Sequence, residues 1–213
     1  MTSSREQALA PLSRVDAERL LPELSTGRQT LERRVLRARC LKYLESFDLA
    51  WAELNAVLPL VKDSLLLARV AVDLLHLSYY LVRREDSVRF AAMAETPAAG
   101  DPLLLAELRL GSSIVRTAAN DVREALVLAR RAADALAVAP RGRSRDLVTT
   151  RVQRQLAHLL SHAGDYVGAA SAAEATGRNA ARVGDPAEIA WATYTAGFAV
   201  RSERLRRTVF SSS

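Results

Sequence analysis

Cysteine is almost absent from this chain of 213 residues, in which Cys40 is the only one. A single thiol excludes the internal disulfide framework that stabilises many small secreted domains. Cys40 stands among apolar positions of a predicted helix, where a reduced and buried thiol behaves as a small hydrophobic side chain. The first residues also lack the basic start and apolar core of a secretory signal. These features predict a cytoplasmic protein.

Long apolar runs are missing as well. The most hydrophobic stretch, residues 57–82, is interrupted by several charged or ionisable side chains: Lys62, Asp63, Arg69, Asp73 and His76. Charged groups are unfavourable inside a bilayer, so a stretch with this many of them is not expected to span one. The sequence therefore predicts no membrane partner.

Aromatic residues make up only 5% of the chain, and there are only nine glycines and seven prolines. The hydrophobic residues, 49% of the total, are mostly alanine, leucine and valine, which favours packed helices over sheets. Apolar side chains recur at helical spacing in segments such as the one that contains Leu67, Val70 and Leu74. We therefore predict an all-α protein with enough apolar residues to fill a core.

Sequence signatures of enzymes are also absent. The chain has no glycine-rich phosphate loop, no Gly-x-Ser-x-Gly nucleophile motif and no dinucleotide-binding fingerprint. His158 and His162 form a His-x-x-x-His pattern without the glutamate that zinc peptidases place after the first histidine, and a zinc site there needs a third ligand such as Asp165 and a catalytic carboxylate. We therefore expect a non-catalytic protein with no cofactor and no metal.

Turn signals between the helical segments are regular. Aspartates mark four turn-to-helix junctions with separations of 38, 35 and 44 residues, at Asp48, Asp86, Asp121 and Asp165. Aspartate is a favoured N-cap because its carboxylate accepts hydrogen bonds from the first free N–H groups of a helix. Gly-Asp-Pro at residues 100–102 and 184–186 gives two more helix starts. This pattern predicts four helical hairpins and the first helix of a fifth.

The stretch Gly164-Asp165-Tyr166-Val167-Gly168-Ala169 resembles the turn inside a tetratricopeptide repeat. Small residues also recur in register, eight positions before the four aspartates at Cys40, Ser78, Ser113 and Ala157, and eight after them at Ala56, Ala94, Ala129 and Ala173. Small side chains allow two antiparallel helices to approach closely. The resemblance implies a right-handed superhelical solenoid of antiparallel helix pairs, about four pairs plus flanking terminal helices.

The resemblance implies one tetratricopeptide-like domain over residues 1–213. Its units are expected near residues 30–60, 62–97, 101–139 and 146–183. A terminal helix over residues 185–203 and a tail over residues 204–213 complete the predicted organisation.

In such an array the first helix of every pair lines a concave groove. The groove positions carried over to this sequence are Arg34, Arg37, Leu75, Tyr79, Arg151, Arg154, His158 and His162, with Trp191, Tyr194 and Phe198 on the last helix. Independently of the family, residues 151, 154, 158 and 162 share one helix face and can present donors to a carboxylate, a phosphate or an acidic peptide. The alternative is a solvated arginine-rich face without a specific partner.

Trp191, Tyr194 and Phe198 lie on one side of the terminal helix. These aromatic residues either pack beneath the C-terminal tail or form an exposed patch. An exposed patch would contact a ligand or a second copy of the chain in a homodimer.

The formal net charge is +6, and 28 arginines and two lysines alternate with 24 carboxylates along the helices. We interpret most of these charges as solvated helix faces. The leading hypothesis is a protein- or peptide-binding scaffold and, by analogy, the sensing or assembly module of a bacterial regulatory system. The alternative is a nucleic-acid-binding helical protein that uses a basic loop and the C-terminal arginines: Arg141, Arg143, Arg145, Arg204, Arg206 and Arg207.

Overall fold

The structure is a computed structural model that describes residues 3–210 of the chain and the side chains of residues 3–201. Within residues 3–210 it contains eleven α-helices, one short 3-10 helix at Leu58–Leu60 and no strand. The helices are α1 (Ser4–Leu9), α2 (Arg14–Leu24), α3 (Leu31–Tyr43), α4 (Phe47–Val57), α5 (Ser64–Tyr80), α6 (Arg84–Ala98), α7 (Pro102–Ala118), α8 (Val122–Val138), α9 (Arg143–His162), α10 (Tyr166–Val183) and α11 (Pro186–Phe210). The prediction of an all-α protein is confirmed. None of these helices has the length and hydrophobicity needed to cross a bilayer.

Four consecutive helix pairs form hairpins: α3 with α4, α5 with α6, α7 with α8, and α9 with α10. Each pair is joined by three residues, so the two helices run antiparallel and pack side by side. The first helices of neighbouring hairpins also contact each other: α5 contacts α7, and α7 contacts α9. The four predicted hairpins are therefore present.

The turns of all four hairpins have the same backbone geometry. The second turn residue is left-handed in each, with φ of 65° at Glu45, 56° at Val82, 61° at Asn120 and 82° at Gly164. The N–H of the following residue bonds a carbonyl near the end of the first helix, for example Asp165 N to Leu160 O at 2.9 Å. This is the Schellman arrangement, which satisfies carbonyl groups at a helix end.

The predicted register is right in two hairpins and displaced in the other two. Asp121 and Asp165 are the N-caps of α8 and α10. Asp48 and Asp86 instead lie inside the first turn of α4 and α6, whose N-cap positions are occupied by Ser46 and Arg83. An acidic residue is favourable throughout the first turn of a helix, so aspartate alone does not distinguish the cap from the two or three positions that follow it.

The hydrophobic core consists of two clusters, one around α1 to α7 and one around α7 to α11. The first is built largely from leucine and valine, such as Leu54 and Leu74, and the second is richer in alanine, such as Ala129 and Ala173. Ala56, expected at a close helix contact, is exposed, because the displaced register puts Leu54 on the inner face of α4. Cys40 is fully buried, and burial raises its pKa to about 11.

The terminal helix starts as predicted but continues further. Asp185 accepts hydrogen bonds from Ala187 N and Glu188 N, and Gly184 before it is left-handed with φ of 70°. Helix α11 then extends to Phe210, so residues 204–210, predicted as part of a tail, are helical.

The two ends of the described chain contact each other. At the start of α2, Val15 donates its N–H to Asp185 at 3.2 Å, and Asp16 accepts from Arg143 at 2.9 Å. The carbonyl of Leu12 accepts from Arg151 on α9 at 2.8 Å. The start of α2 is therefore tied to the last hairpin and the terminal helix by charged and backbone groups.

Candidate ligand-binding cavity

A cavity of about 390 Å³, which we call the inner cavity, lies between the first helices of the hairpins. Its lining residues come from α3, α5, α7, α9 and α11, which include the first helix of every hairpin, and also include Arg14, Glu45 and Phe47. Pockets of this size commonly hold small ligands or a few side chains of a partner. Its floor is buried, at Lys42, Glu107 and Gly111, while Tyr80 and Trp191 on its rim are exposed. The cavity therefore opens to one side of the array.

The cavity contains four of the residues that sequence analysis assigned to the groove: Tyr79, Arg151, Arg154 and Trp191. Tyr194 stands beside it, because its ring packs edge-on against Trp191 with centroids 5.8 Å apart. Arg34 and Arg37 are not among its lining residues, and Arg37 bonds Glu53 on α4 at 3.2 Å. The displaced register accounts for this difference, since Lys42 and Tyr43 are the α3 residues that line the cavity.

Two of the floor residues, Lys42 and Glu107, belong to a network of buried ion pairs. Arg39 on α3 donates to Asp73 on α5 at 2.8 Å, and Lys42 also donates to Asp73. Arg69 on α5 pairs with Glu107 on α7. Burial alone would raise the pKa of both carboxyl groups. The surrounding cations have the larger effect, and the pKa values of Asp73 and Glu107 are therefore lowered. Both carboxylates are therefore charged although they are buried.

These ion pairs follow a repeat that only the structural register reveals. Arg69, Glu107 and Arg151 each stand thirteen positions before the left-handed turn residue of their hairpin. In the sequence, Arg69 stands out only as an interruption of an apolar stretch, and no motif singles out Glu107. Counted from Val82, Asn120 and Gly164, the three charges occupy one equivalent position on successive first helices.

His76 lines the cavity next to this network. Its Nε2 atom is buried without a hydrogen-bond partner among the described residues, and its ring packs against Gly111 on α7. Burial, together with the Lys42 charge, lowers the pKa of His76 to about 4. The imidazole is therefore neutral at pH 7, and only a glycine at position 111 leaves room for it.

Arg151 makes three well-formed hydrogen bonds inside the protein. It donates to Glu188 on α11 at 2.7 Å, to the Tyr43 hydroxyl at 2.9 Å and to the Leu12 carbonyl at 2.8 Å. Its guanidinium also lies over the Tyr43 ring. Arg151 was expected to present donors to a partner, but its donors already connect α9, α11, α3 and the segment before α2.

Arg154, one turn further along α9, is in a different situation. Its Nη1 lies 3.5 Å from Glu188, and the guanidinium stacks 5.1 Å from the centre of the Trp191 ring. Among the described residues it donates no well-formed hydrogen bond. Burial is the main cause that lowers its pKa, although the group remains a cation at pH 7. Arg154 is thus the cation in this cavity with the most donors available to a ligand.

Aromatic side chains surround the opening of the cavity. Phe47 and Tyr80 stack with centroids 4.5 Å apart, and Tyr79 meets Tyr80 edge-on at 5.1 Å. On the opposite side, Trp191 is 54% exposed and Tyr194 is 63% exposed. Such rings can pack against the apolar part of a ligand while Arg154 binds an anionic part.

His158, His162 and Phe198 form a separate group of rings on α9 and α11. The two histidine rings are 4.5 Å apart, and His158 lies 5.5 Å from Phe198. Burial, followed by the proximity of His162, lowers the pKa of His158. Among the described residues no group of three or more metal-binding side chains occurs. Phe198 thus packs against the histidine rings, whereas Trp191 and Tyr194 remain exposed.

One arginine of the basic loop that the nucleic-acid alternative depends on makes contacts within the protein itself. Arg143 begins α9 and pairs with Asp16, and it also donates to the Ser13 hydroxyl at 3.3 Å. Arg141 is exposed and Arg145 is half-buried. The side chains of Arg204, Arg206 and Arg207 lie outside the described part of the structure.

Comparison with known proteins adds no assignment. No protein-family model matches the chain, and a search of curated proteins finds no match either.

Proposed function

We propose that the chain is a non-catalytic binding scaffold that captures a peptide segment of a partner protein in its inner cavity. The proposal includes the tetratricopeptide-like arrangement, a right-handed superhelical solenoid of antiparallel pairs. It also includes a cytoplasmic setting as the sensing or assembly module of a bacterial regulatory system, which rests on analogy with such modules.

One observation carries the proposal: Tyr79, Arg154 and Trp191 lie far apart in the sequence, yet they line one cavity. They come from the first helix of the second hairpin, the first helix of the fourth and the terminal helix. Ligand sites typically combine apolar and aromatic walls with a few well-placed polar groups, and this cavity has both.

The charge distribution supports an acidic partner. Arg151 and Lys42 are engaged by carboxylates and other acceptors of the protein itself, but Arg154 retains guanidinium donors that face the cavity. A guanidinium held in a partly dry site binds a carboxylate more strongly than one in open solvent. The aromatic rim supplies packing for an apolar side chain next to the acidic one.

The size of the cavity limits what can enter. A volume of about 390 Å³ is too small for a folded domain, and the buried ion pairs beneath it cannot move aside without losing their partners. The bound element is therefore a short segment with one or two inserted side chains, and the rest of the partner lies across the rim.

Selection of a random-peptide library displayed on phage against the full chain tests this function. The expected result is enrichment of short sequences that combine Asp or Glu with an apolar residue, and loss of a distinct set of these sequences when Trp191→Asp protein replaces the wild type. Failure to enrich any sequence, or equal enrichment on both proteins, would contradict the proposal.

A further inference from the structure

A second and larger cavity, which we call the outer groove, lies between α6 and α8. It has a volume of about 700 Å³, its floor is formed by α5 and α7, and its apolar lining includes Leu75, Ala91, Val115 and Leu128. Along α6 it runs from Arg84 to Glu95, which corresponds to a length of roughly 16 Å at 1.5 Å per residue. This outer groove is separated from the inner cavity by Tyr79 and Tyr80, which line both.

Val82 stands at the edge of the outer groove in an unfavourable backbone conformation. Its φ is 56°, in the left-handed region that β-branched residues rarely adopt, and 76% of the residue is exposed. The equivalent turn positions of the third and fourth hairpins hold Asn120 and Gly164, which tolerate this conformation far better. Neither the turn nor the core therefore explains a valine at position 82.

Val88, on α6, adds a second exposed valine to the same edge. It lines the outer groove, and 68% of it is exposed. Together with the floor, the two valines continue one apolar surface from the buried interior out to the rim. Connected apolar surfaces of this kind, bordered by polar residues, mark interaction sites.

The charges around the outer groove are not balanced. Arg109 and Glu95 neutralise each other in a two-pronged ion pair. Arg84 and Arg116 also line the groove, and neither takes part in an ion pair within the described residues. Glu124 is the one further carboxylate among the residues that line it. The groove thus offers an apolar floor whose lining residues, three arginines and two glutamates, carry an excess of one positive charge.

We propose that the outer groove docks an amphipathic helix of a partner protein, with an apolar stripe on one face and acidic residues beside it. About three helical turns span a groove of this length, and an open apolar groove between two helices is the usual receptor for such a helix. The C-terminal helix of a second copy fits poorly, because its sequence carries Arg204, Arg206 and Arg207. The acidic helix instead complements Arg84 and Arg116.

Two synthetic peptides of about five helical turns provide the test. Both carry leucines at helical spacing, one with glutamates and the other with lysines at the remaining positions. Fluorescence anisotropy with the full chain is expected to show saturable binding of the glutamate peptide and at least about tenfold weaker binding of the lysine peptide. Val88→Asp is expected to weaken binding of the glutamate peptide at least about tenfold, while the matched variant Val167→Asp, at an exposed position of α10, leaves binding unchanged.

Val82→Asn distinguishes a docking role from a structural one. It relieves the backbone strain, so it is expected to raise the midpoint of thermal unfolding while it weakens binding of the glutamate peptide. An improvement in stability with unchanged binding would overturn the proposal, as would failure of both peptides to bind or equal binding of both. Dimerisation in sedimentation experiments that Val88→Asp abolishes would assign the groove to a second copy instead.

The proposal is independent of the inner cavity. Arg154→Glu is expected to leave binding of the glutamate peptide to the outer groove unchanged. If Arg154→Glu abolishes it, the peptide occupies the inner cavity, and the outer-groove assignment is wrong.

Discussion

Arg39 on α3 and Asp73 on α5 form a hydrogen-bonded ion pair at 2.8 Å with both side chains completely buried. Asp73 also accepts from Lys42, so one carboxylate balances two cations beneath the inner cavity. Replacement by a neutral residue leaves both cations without a counter-charge in the interior. Asp73→Asn is therefore expected to lower the free energy of unfolding by about 3–5 kcal/mol in urea titrations. The exposed Asp134→Asn should stay within about 0.5 kcal/mol of the wild type.

His76 makes the stability depend on pH in a range where few other groups titrate. Its pKa is lowered to about 4 in the folded protein, against about 6.5 in an unfolded chain. Between these values the unfolded state binds a proton that the folded state does not, so the free energy of unfolding falls as the pH drops. From pH 7 to pH 5 we expect a loss of about 2 kcal/mol in urea titrations. His76→Gln should flatten this slope, and an unchanged slope would show that His76 is not responsible.

Gly111 is required by the His76 ring and not by its own backbone. A methyl group at position 111 would overlap the imidazole, so Gly111→Ala is expected to lower the free energy of unfolding by about 1–3 kcal/mol. Gly177, in the interior of α10, has open space around it, and Gly177→Ala should raise stability by about 0.5–1 kcal/mol. The double variant Gly111→Ala with His76→Ala should recover part of the loss. Equal changes in the free energy of unfolding for Gly111→Ala and Gly177→Ala would contradict this explanation.

Arg151 and Arg154 are expected to separate stability from binding. Arg151→Gln removes three internal hydrogen bonds and should lower the free energy of unfolding by about 2–4 kcal/mol. Arg154→Gln removes one ion pair at 3.5 Å and the stacking on Trp191, and should change the free energy of unfolding by less than about 1 kcal/mol, yet weaken binding of an acidic peptide. Thermal unfolding and calorimetric titration of both variants measure the two effects.

Trp191 distinguishes a ligand-binding rim from a dimer contact. If it serves the cavity, Trp191→Asp loses peptide binding while its sedimentation coefficient equals that of the wild type across concentrations. A wild-type dimer that this substitution converts to a monomer would instead assign Trp191 and Tyr194 to a homodimer interface.

The helical hairpins could be predicted from the sequence because they depend on local signals. Apolar spacing identified the helices, and Asp121, Asp165 and Asp185 act as the predicted helix caps. The predicted register of the first two hairpins was displaced because their left-handed turn residues are Glu45 and Val82, and neither residue type signals such a turn. A shift of two or three residues rotates a helix by more than half a turn, so Arg37 faces Glu53 and Lys42 lines the cavity.

The ion pairs beneath the cavity could not be predicted because they connect residues far apart in the chain. Asp73 and Glu107 stand within apolar helices, where a charge is ordinarily taken to mark an exposed face. Only the packing of α3, α5 and α7 reveals that Arg39, Lys42 and Arg69 neutralise them. The contacts of Arg151 could not be predicted for the same reason. It shares a helix face with Arg154, but its guanidinium donates to the distant residues Tyr43 and Leu12.

Calorimetric titration of a phage-selected acidic peptide into the wild type and two charge-reversed variants tests the proposed function most directly. Arg154 lines the inner cavity, whereas Arg130 is an exposed arginine of α8 outside it. We predict that Arg154→Glu lowers the affinity for the peptide at least about a hundredfold, and that Arg130→Glu leaves the affinity within about twofold of the wild type. Equal affinity for the wild type and Arg154→Glu would contradict the proposed function.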